Sequence, residues 1–144
     1  MAYPVITDVQ LVPPGGTGKL EIEQPVDPSG DPVTVLDIDL GFTFKGYVEL
    51  PGWLSGNGVV RLSADEIGGP FDDTIGEDNL AIIGATDPND PPNIKYYWSI
   101  TVTTPALPDE TKLYQFGIAF LLKTQAGGHT DIGGFYDLGA FLVV

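Results

Sequence analysis

The sequence predicts an all-β fold, an antiparallel β-sandwich of seven or eight strands. From Leu36 to Leu50 every even position except Gly46 is apolar, while the odd positions are mostly polar or charged. Alternation with a period of two is typical of a strand that buries one face. The 19 glycines and 13 prolines lie mainly between such runs, where they indicate turns. Short strands separated by turns, without a long helical pattern, favour a sandwich or a barrel.

Length and composition favour one domain over residues 1–144. A chain of this length can bury a hydrophobic core by itself. It has no cysteine, so disulfide bonds and thiolate metal sites are excluded. Stability is therefore expected to come from packing.

The charge of the chain excludes one class of partner. Twenty acidic residues against six basic ones give a net charge of -14, and a phosphate backbone would be repelled, so nucleic acid is not expected to bind. The N-terminus lacks the basic and apolar segments of a signal peptide. No apolar run reaches about 18 residues, the length that a membrane-spanning helix needs. We therefore expect a cytoplasmic protein that does not bind a membrane.

Two strands are predicted before the most regular part of the chain. Val5–Val12 follows Pro4, which suits the edge of a sheet. Lys19–Gln24 places Leu20 and Ile22 on one face. Segments rich in proline and glycine separate these strands from each other and from the third predicted strand.

The third predicted strand is a central ribbon that runs from Val33 to Leu50. Because this exceeds the usual strand length, we expect a bend or a break at Gly41 or Gly46. The alternation keeps its phase through both glycines, which favours a bend within one ribbon, since an inserted residue would exchange the two faces.

The middle of the chain is predicted to contain one further strand, Val59–Asp65, with alternate residues apolar. An alternative is a short helix, since Ser63 and Glu66 have the spacing of a capping box, although the glycines and the proline after them would end it within about one turn. The acidic, glycine-rich segment Gly68–Asn79 is predicted as a loop, and Leu80–Ile83 is a short apolar run.

The last third of the chain alternates most clearly. Apolar or aromatic residues occupy the even positions from Tyr96 to Val102 and from Tyr114 to Leu122. The segment Gln125–Gly134, with its two glycine pairs, is predicted as a loop. In the final strand one face is expected to carry the even positions, which are Tyr136, Leu138, Ala140, Leu142 and Val144.

The segment Leu107–Phe116, LPDETKLYQF, resembles the junction of strands E and F in immunoglobulin-like and fibronectin type III-like domains, with Tyr114 as the tyrosine of the corner motif. The resemblance extends from Lys95 to Val144. It implies an immunoglobulin-like Greek key in which the Tyr114 phenol bonds to backbone a few residues upstream. The spacing around the tyrosine differs slightly from the fibronectin pattern, and the cysteine pair of antibody domains is absent. The fold itself serves many unrelated functions.

A calcium site is the one cofactor prediction. Acidic residues and no basic ones lie between Arg61 and Lys95, and acidic loops at the rim of a sandwich can supply the oxygen ligands that calcium prefers. The candidate ligands are Asp72, Asp73, Glu77 and Asp78. Their spacing does not match the helix-loop-helix calcium pattern. The alternative is a solvated loop whose charges prevent pairing between edges.

No catalytic residue is predicted. His129 is the only histidine, in a predicted loop beside Asp131, and no serine lies in a Gly-x-Ser-x-Gly turn. Two carboxylates facing each other across a cleft can hydrolyse a sugar bond. A hydrolase that uses clustered acidic residues therefore stays as an alternative to a non-catalytic protein.

Aromatic residues outside the predicted core are the candidates for binding. Tyr47, Tyr97 and Phe135 fall on the polar sides of their strands, and Trp53 lies in a connection. Exposed rings anchor protein interfaces or stack on sugars. Tyr47 and Tyr97 would form a patch if their strands belong to one sheet.

These observations predict a protein-interaction or structural assembly subunit that binds a protein partner or forms a homo-oligomer. An unpaired edge can pair with another chain, so we expect contacts at the terminal strands, Pro4–Val12 and Gly139–Val144. The alternative is a carbohydrate- or calcium-binding module.

Overall fold

The computed structural model describes residues 6–10, 19–23, 35–39, 41–51, 55–83, 93–103, 107, 111–124 and 131–144. For residues 6–10, 51, 93, 124, 131 and 132 it describes the backbone alone. Within these residues there is no helix, and the chain forms nine strands: β1 (Ile6–Gln10), β2 (Lys19–Glu23), β3 (Val35–Leu36), β4 (Phe42–Pro51), β5 (Gly56–Glu66), β6 (Asp72–Ile82), β7 (Asn93–Val102), β8 (Lys112–Thr124) and β9 (Asp131–Val143).

The strands form two sheets. Sheet A has the order β1-β2-β4-β7, and all its neighbours are antiparallel. Sheet B has the order β3-β9-β8-β5-β6, and within it only the short strand β3 runs parallel to its neighbour. The all-β prediction is confirmed. The described residues contain more strands than the seven or eight predicted.

Aromatic rings from both sheets fill the core. Phe42 of sheet A stacks on Phe116 of sheet B at 5.9 Å between ring centroids, and Phe116 stacks on Phe141 at 5.1 Å. Phe44 is fully buried and meets Phe141 edge to face. Burial of these rings and of Leu36 confirms the alternation from which the fold was predicted.

The central segment is broken, and its two parts belong to different sheets. Its first part is β3 in sheet B, and its second part is β4 in sheet A. The amide of Gly41 donates to the Ile38 carbonyl at 3.2 Å, and Gly41 has a φ of 77°, which a residue with a side chain rarely adopts. The break at Gly41 is confirmed, but the single ribbon is wrong. The alternation keeps its phase because both sheets face the same core.

Two segments that were predicted as loops form strands. Gly68–Asn79 becomes strand from Asp72 onward, paired with β5, and the predicted loop Gln125–Gly134 becomes strand from Asp131 onward. Pairing with a neighbouring strand overrides the low strand propensity of aspartate and glycine. The alternative helix at Ser63 does not form, because that residue lies within β5.

A bulge in β9 changes which of its side chains reach the core. The register between β8 and β9 shifts at Phe116 and Gly117, so Leu138 has no counterpart on β8. Beyond this point the buried residues are Phe141 and Val143, because an inserted residue exchanges the two faces of a strand. The prediction of one even-numbered face is therefore wrong for the last three members, Ala140, Leu142 and Val144.

The edge strands β6 and β7 lie against each other where the two sheets meet. The Ser99 amide donates to Asp78 Oδ2 at 3.0 Å, and the Tyr96 hydroxyl donates to the Ile83 carbonyl at 2.8 Å. Burial raises the pKa of the Tyr96 phenol. A side chain from each sheet thus forms a hydrogen bond with the backbone of the other sheet at this edge.

The terminal strands differ from the prediction at one end. β1 lies at the edge of sheet A, within the predicted contact segment Pro4–Val12. The other segment, Gly139–Val144, is not an unpaired edge at its C-terminal end. Leu142 and Val143 have β8 on one side and β3 on the other, because the break in the central segment brings β3 alongside them.

Candidate functional site

The outer face of sheet A carries a pair of tyrosines. Tyr47 and Tyr97 are directly opposite each other on β4 and β7, with their rings 5.8 Å apart and close to edge-to-face. Lys95 Nζ lies 4.6 Å from the centre of the Tyr47 ring, which favours a cation–π contact. Tyr47 is only 9% exposed and Tyr97 is 71% exposed. The predicted tyrosine patch is therefore present, although one ring supplies almost all of its accessible surface.

Charged residues around the tyrosines pair with one another. Lys19 lies 3.6 Å from Glu49, and Lys45 lies 3.9 Å from Glu23. In the register of sheet A, the described charged side chains of this face are three lysines and three glutamates, Lys19, Lys45, Lys95, Glu21, Glu23 and Glu49. The hydroxyls of Thr43 and Thr101 share a hydrogen bond of 2.9 Å. The charges of these described side chains balance, and two lysines, two glutamates and the two threonines have partners on the face itself.

The outer face of sheet B is much more apolar. Its described apolar side chains, placed there by register and burial, are Val35, Val59, Ile67, Ala81, Leu113, Ala119, Leu121, Phe135, Ala140 and Leu142. Phe135 is 63% exposed. Its ring lies over Gly117, where a Cβ atom would come within 2.7 Å of the ring.

An open groove follows the ring of Phe135. It has a volume of about 420 Å³ and is lined by Val59, Arg61, Ala119 and Leu121, together with the backbone of neighbouring strands. Arg61 Nε donates to Glu77 Oε2 at 3.3 Å and so forms a polar border on one side. The groove is therefore an apolar depression with a charged margin, a combination that is common at protein-binding surfaces.

A continuous line of aliphatic side chains crosses the same face at one end. Leu142 lies opposite Leu113 on one side and opposite Val35 on the other. The Ile67 amide donates to the Leu113 carbonyl at 2.9 Å and extends the line beyond β5. Ile67, Leu113 and Val35 are 49%, 42% and 53% exposed. We refer to Ile67, Leu113, Leu142 and Val35 as the aliphatic row.

A partly buried ion pair lies next to Ile67, at one end of the aliphatic row. Lys112 Nζ donates to Glu66 Oε1 at 2.7 Å, and the Phe71 amide donates to Glu66 Oε2 at 3.3 Å. The hydrogen bond from Lys112 lowers the pKa of the Glu66 carboxyl, with a smaller contribution from the Phe71 amide. A side chain at Gly69 would overlap the Glu66 carboxylate, so a substitution there would displace this carboxylate from its present position. We call the Glu66–Lys112 pair the clasp.

The predicted calcium ligands lie along β6 and do not converge. Glu77 pairs with Arg61, and Asp78 accepts a hydrogen bond from the Ser99 amide. Asp73 accepts a hydrogen bond from the Thr74 amide. Asp72 is exposed beside Asp65 in the register. Within the described residues no group of three acidic or imidazole side chains could hold a metal ion. Calcium binding stays a prediction, which thermal unfolding with calcium or with a chelator would test.

Two residues singled out from the sequence, Trp53 and His129, lie outside the described residues. The sequence-based interpretation also missed the aliphatic row. One signal for it was available, because Leu113, Ala119 and Leu121 are apolar residues at odd positions of a strand whose even positions form the core. Apolar residues at both the odd and the even positions of a strand indicate that both of its faces are apolar.

Comparison with known proteins adds no assignment, since no family model matches the chain and no curated protein matches its sequence. Among the residues that the structure describes, no helix is long and apolar enough to cross a membrane. The two outer faces are therefore the basis on which a function can be inferred.

Proposed function

We propose that this chain is a non-catalytic protein-interaction or assembly subunit that binds through the outer face of sheet B. The observation that carries the proposal is the aliphatic row, whose members Ile67, Leu113 and Val35 are exposed, together with the exposed ring of Phe135 elsewhere on the same face. Exposed apolar residues that are scattered singly are ordinary, but a connected patch of them is typical of an interaction site. Removal of this surface from water would favour association by roughly 25 cal/mol for each Å² buried.

The outer face of sheet A supports such a role less well. Two of its lysines pair with two of its glutamates, Lys95 lies over the Tyr47 ring, and Tyr47 itself is largely covered by its neighbours. A partner that docked there would have to displace these contacts. The outer face of sheet B offers apolar side chains that form no ion pair or hydrogen bond, so association there requires less reorganisation.

Site-specific photo-crosslinking in the native host tests the proposal. A photoreactive phenylalanine analogue is placed at Phe135 in one variant and at Tyr97 in a control variant, which is equally exposed but lies on the other sheet. We expect discrete adducts, with a partner protein or with a second copy of the chain, from position 135 alone. Equal adducts from both positions, or none from position 135, would contradict the proposal.

Sedimentation of the purified chain separates the two forms of the proposal. Reversible self-association that increases with concentration and is lost in a Leu113→Ser variant would favour a homo-oligomer. A monomer at all concentrations would leave a different protein as the partner. Phe135→Ser and Tyr97→Ser serve as the matched pair of variants in this measurement.

We also propose that the sandwich is an immunoglobulin-like Greek key. In this assignment β4 and β7, which are neighbours in sheet A, correspond to strands B and E. The consecutive neighbours β5, β8 and β9 of sheet B then correspond to strands C, F and G. This strand order is the one typical of such domains. Tyr114 is fully buried near the start of β8, where the corner tyrosine is expected. Trp98 lies on β7 and so is not the tryptophan of strand C.

The corner hypothesis expects Tyr114→Phe to lower the free energy of unfolding by about 1 kcal/mol, and an unchanged value would reject it.

A carbohydrate-binding module is a second candidate, and the exposed ring of Tyr97 favours it. A flat aromatic ring among lysines, glutamates and threonines can stack on a sugar and donate or accept hydrogen bonds around it. Titration of the chain with soluble oligosaccharides, with amide shifts read at β4 and β7, tests this candidate. Shifts at Tyr97 that disappear in Tyr97→Ser would support it, and the absence of any shift would reject it.

A further inference from the structure

Two negative charges without a counter-charge lie beside the aliphatic row. Asp65 and Asp72 are exposed and directly opposite each other on β5 and β6. Like charges at opposite positions of a strand pair destabilise a sheet. Among the described residues, no lysine or arginine forms an ion pair with either carboxylate, whereas Glu77 of the same face is paired with Arg61. The outer face of sheet B therefore combines exposed aliphatic groups with an unmatched negative charge at one end.

The aliphatic row has a definite length and direction. It crosses the strands instead of running along them, and it extends over four neighbouring chain segments from Ile67 to Val35. Adjacent strands are roughly 4.8 Å apart, so the row is roughly 14 Å long. A helix that presents apolar side chains at i, i+3 or i+4, and i+7 or beyond has an apolar ridge of similar length over roughly three turns.

The charge of the chain argues against a second copy as the occupant. Each copy carries a net charge of -14, and packing two outer faces of sheet B together would bring two Asp65–Asp72 pairs into one interface. Like charges placed together in an interface oppose association, and opposite charges favour it and accelerate encounter. The same charges that repel a second copy attract a basic partner.

We infer that the occupant of the outer face of sheet B is a basic, amphipathic helical segment of another protein. This inference rests on the proposed function and specifies its partner. The apolar ridge of the segment lies along the aliphatic row, and a lysine or arginine at one end of the ridge neutralises Asp65 and Asp72. The clasp fixes the position of Ile67, which is the member of the row next to these two carboxylates.

Three synthetic helical peptides of equal length test the inference on the full chain. The first has leucines at the ridge positions and lysines elsewhere, the second has leucines and glutamates, and the third has serines and lysines. Binding is measured by isothermal calorimetry at low salt, and the site is mapped from amide shifts in a 15N-labelled sample. We expect only the leucine–lysine peptide to bind, with shifts at β5, β8 and β9 and few at β4 and β7.

Matched variants separate the contributions of charge and of the aliphatic row. Asp65→Asn with Asp72→Asn should weaken binding of the leucine–lysine peptide about fivefold at low salt. Glu21→Gln with Glu23→Gln removes the same charge from the outer face of sheet A and should leave binding nearly unchanged. Leu113→Ser should weaken binding about tenfold, since it removes one aliphatic contact from the row.

The alternative outcomes distinguish the failure of this inference from the failure of the proposed function. Equal binding of the leucine–lysine and leucine–glutamate peptides at the outer face of sheet B would overturn the basic partner and leave the proposed function standing. A reversible dimer of the unmodified chain that Leu113→Ser abolishes would do the same, with a second copy as the occupant. Shifts confined to sheet A, or no binding, would overturn the inference, and crosslinking at Phe135 would then decide the proposed function separately.

Discussion

The outer faces of the two sheets differ in the contacts that their side chains make with their neighbours. On sheet A the lysines and glutamates pair across strands, the threonine hydroxyls bond to each other, and Tyr97 packs on Tyr47. On sheet B, Phe135 and three members of the aliphatic row, Ile67, Leu113 and Val35, are exposed. Among the described residues, the polar groups of one face contact each other, whereas the other face keeps apolar surface in contact with water.

The difference has its origin in two features of sheet B. β8 carries apolar residues on both of its faces, including Leu113 and Leu121 on the outside. The bulge at Leu138 then exchanges the faces of β9, which turns Leu142 outward beside Leu113. The described strands of sheet A have no register shift, and their polar residues keep to one side. A one-residue insertion is thus enough to extend an apolar core strand into an apolar surface.

The largest expected effect concerns how tightly each sheet is built. A Cβ atom at Gly46 of sheet A would overlap the Glu21 carbonyl oxygen, so Gly46→Ala forces two strands apart and should destabilise the chain by about 2 kcal/mol. A Cβ atom at Gly117 of sheet B would come closest to the ring of Phe135, which can swing into solvent, and would lie 3.3 Å from the Ser63 hydroxyl. Gly117→Ala should therefore cost less than about 0.5 kcal/mol. Urea unfolding measures both values, and equal costs would contradict the comparison.

The next prediction concerns the clasp below the aliphatic row. Because the pKa of Glu66 is lowered in the folded chain, its ionised form stabilises the fold above the ordinary pKa of 4.5, and this contribution is lost as the pH falls through the lowered value. Glu66→Gln should remove this part of the acid sensitivity and lower stability at neutral pH. Urea unfolding from neutral to acidic pH measures it.

A control for the clasp comes from the same strand. Lys112→Gln removes the donor that lowers the pKa of Glu66 and should act in the same direction as Glu66→Gln. Lys123→Gln also removes a lysine from β8 but lies far from the clasp, so it should leave the acid dependence as it is. If all three variants behave alike, the effect comes from net charge and the clasp has no special role.

A smaller effect is expected from the two exposed rings. Tyr97→Ser removes a cross-strand aromatic pair and should lower stability by about 0.7 kcal/mol. Phe135→Ser removes a ring that is mostly in water and should change stability by less than about 0.5 kcal/mol while it reduces binding of an apolar dye such as ANS. A larger stability loss at Phe135 than at Tyr97 would mean that the outer face of sheet B is structural.

The sequence predicted the interior better than the surface. Alternation identified the buried residues of β4, β7 and β8. A strand with one polar and one apolar face has a two-residue repeat in its own sequence, and no other part of the chain is needed to detect it. It also indicated that Tyr47 and Tyr97 lie on outward faces, and the register then brings them together. Such a pattern does not show which strands pair when they are distant in sequence. The contact between Tyr47 and Tyr97 therefore depends on the strand order, which only the structure gives.

The errors have a common physical cause. β6 was predicted as a loop because its aspartates and glycines disfavour strands, yet β5 supplies the pairing. The sequence does not predict that the chain changes sheet after Ile38, because the even-numbered residues of this segment are the buried ones in both sheets. The bulge at Leu138 left no mark in the sequence, because the residues after it, Gly139 to Val144, are apolar at both odd and even positions. Each error arises where a contact between residues distant in sequence determines the structure. At these places the local sequence pattern either gives no preference or favours a different structure.

The smallest expected effect separates the two faces by its sign. On sheet A, Glu49→Gln breaks the ion pair with Lys19 and should destabilise the chain by about 0.3 kcal/mol at low salt. On sheet B, Asp65→Asn relieves the repulsion from Asp72 and should stabilise it by about 0.3 kcal/mol under the same conditions. Both effects should shrink in 1 M salt, where the screening length is only about 3 Å. Urea unfolding at the two salt concentrations measures them. Effects of the same sign would show that the carboxylates beside the aliphatic row are as well matched as those beside the tyrosines, and the reason for a basic partner would be lost.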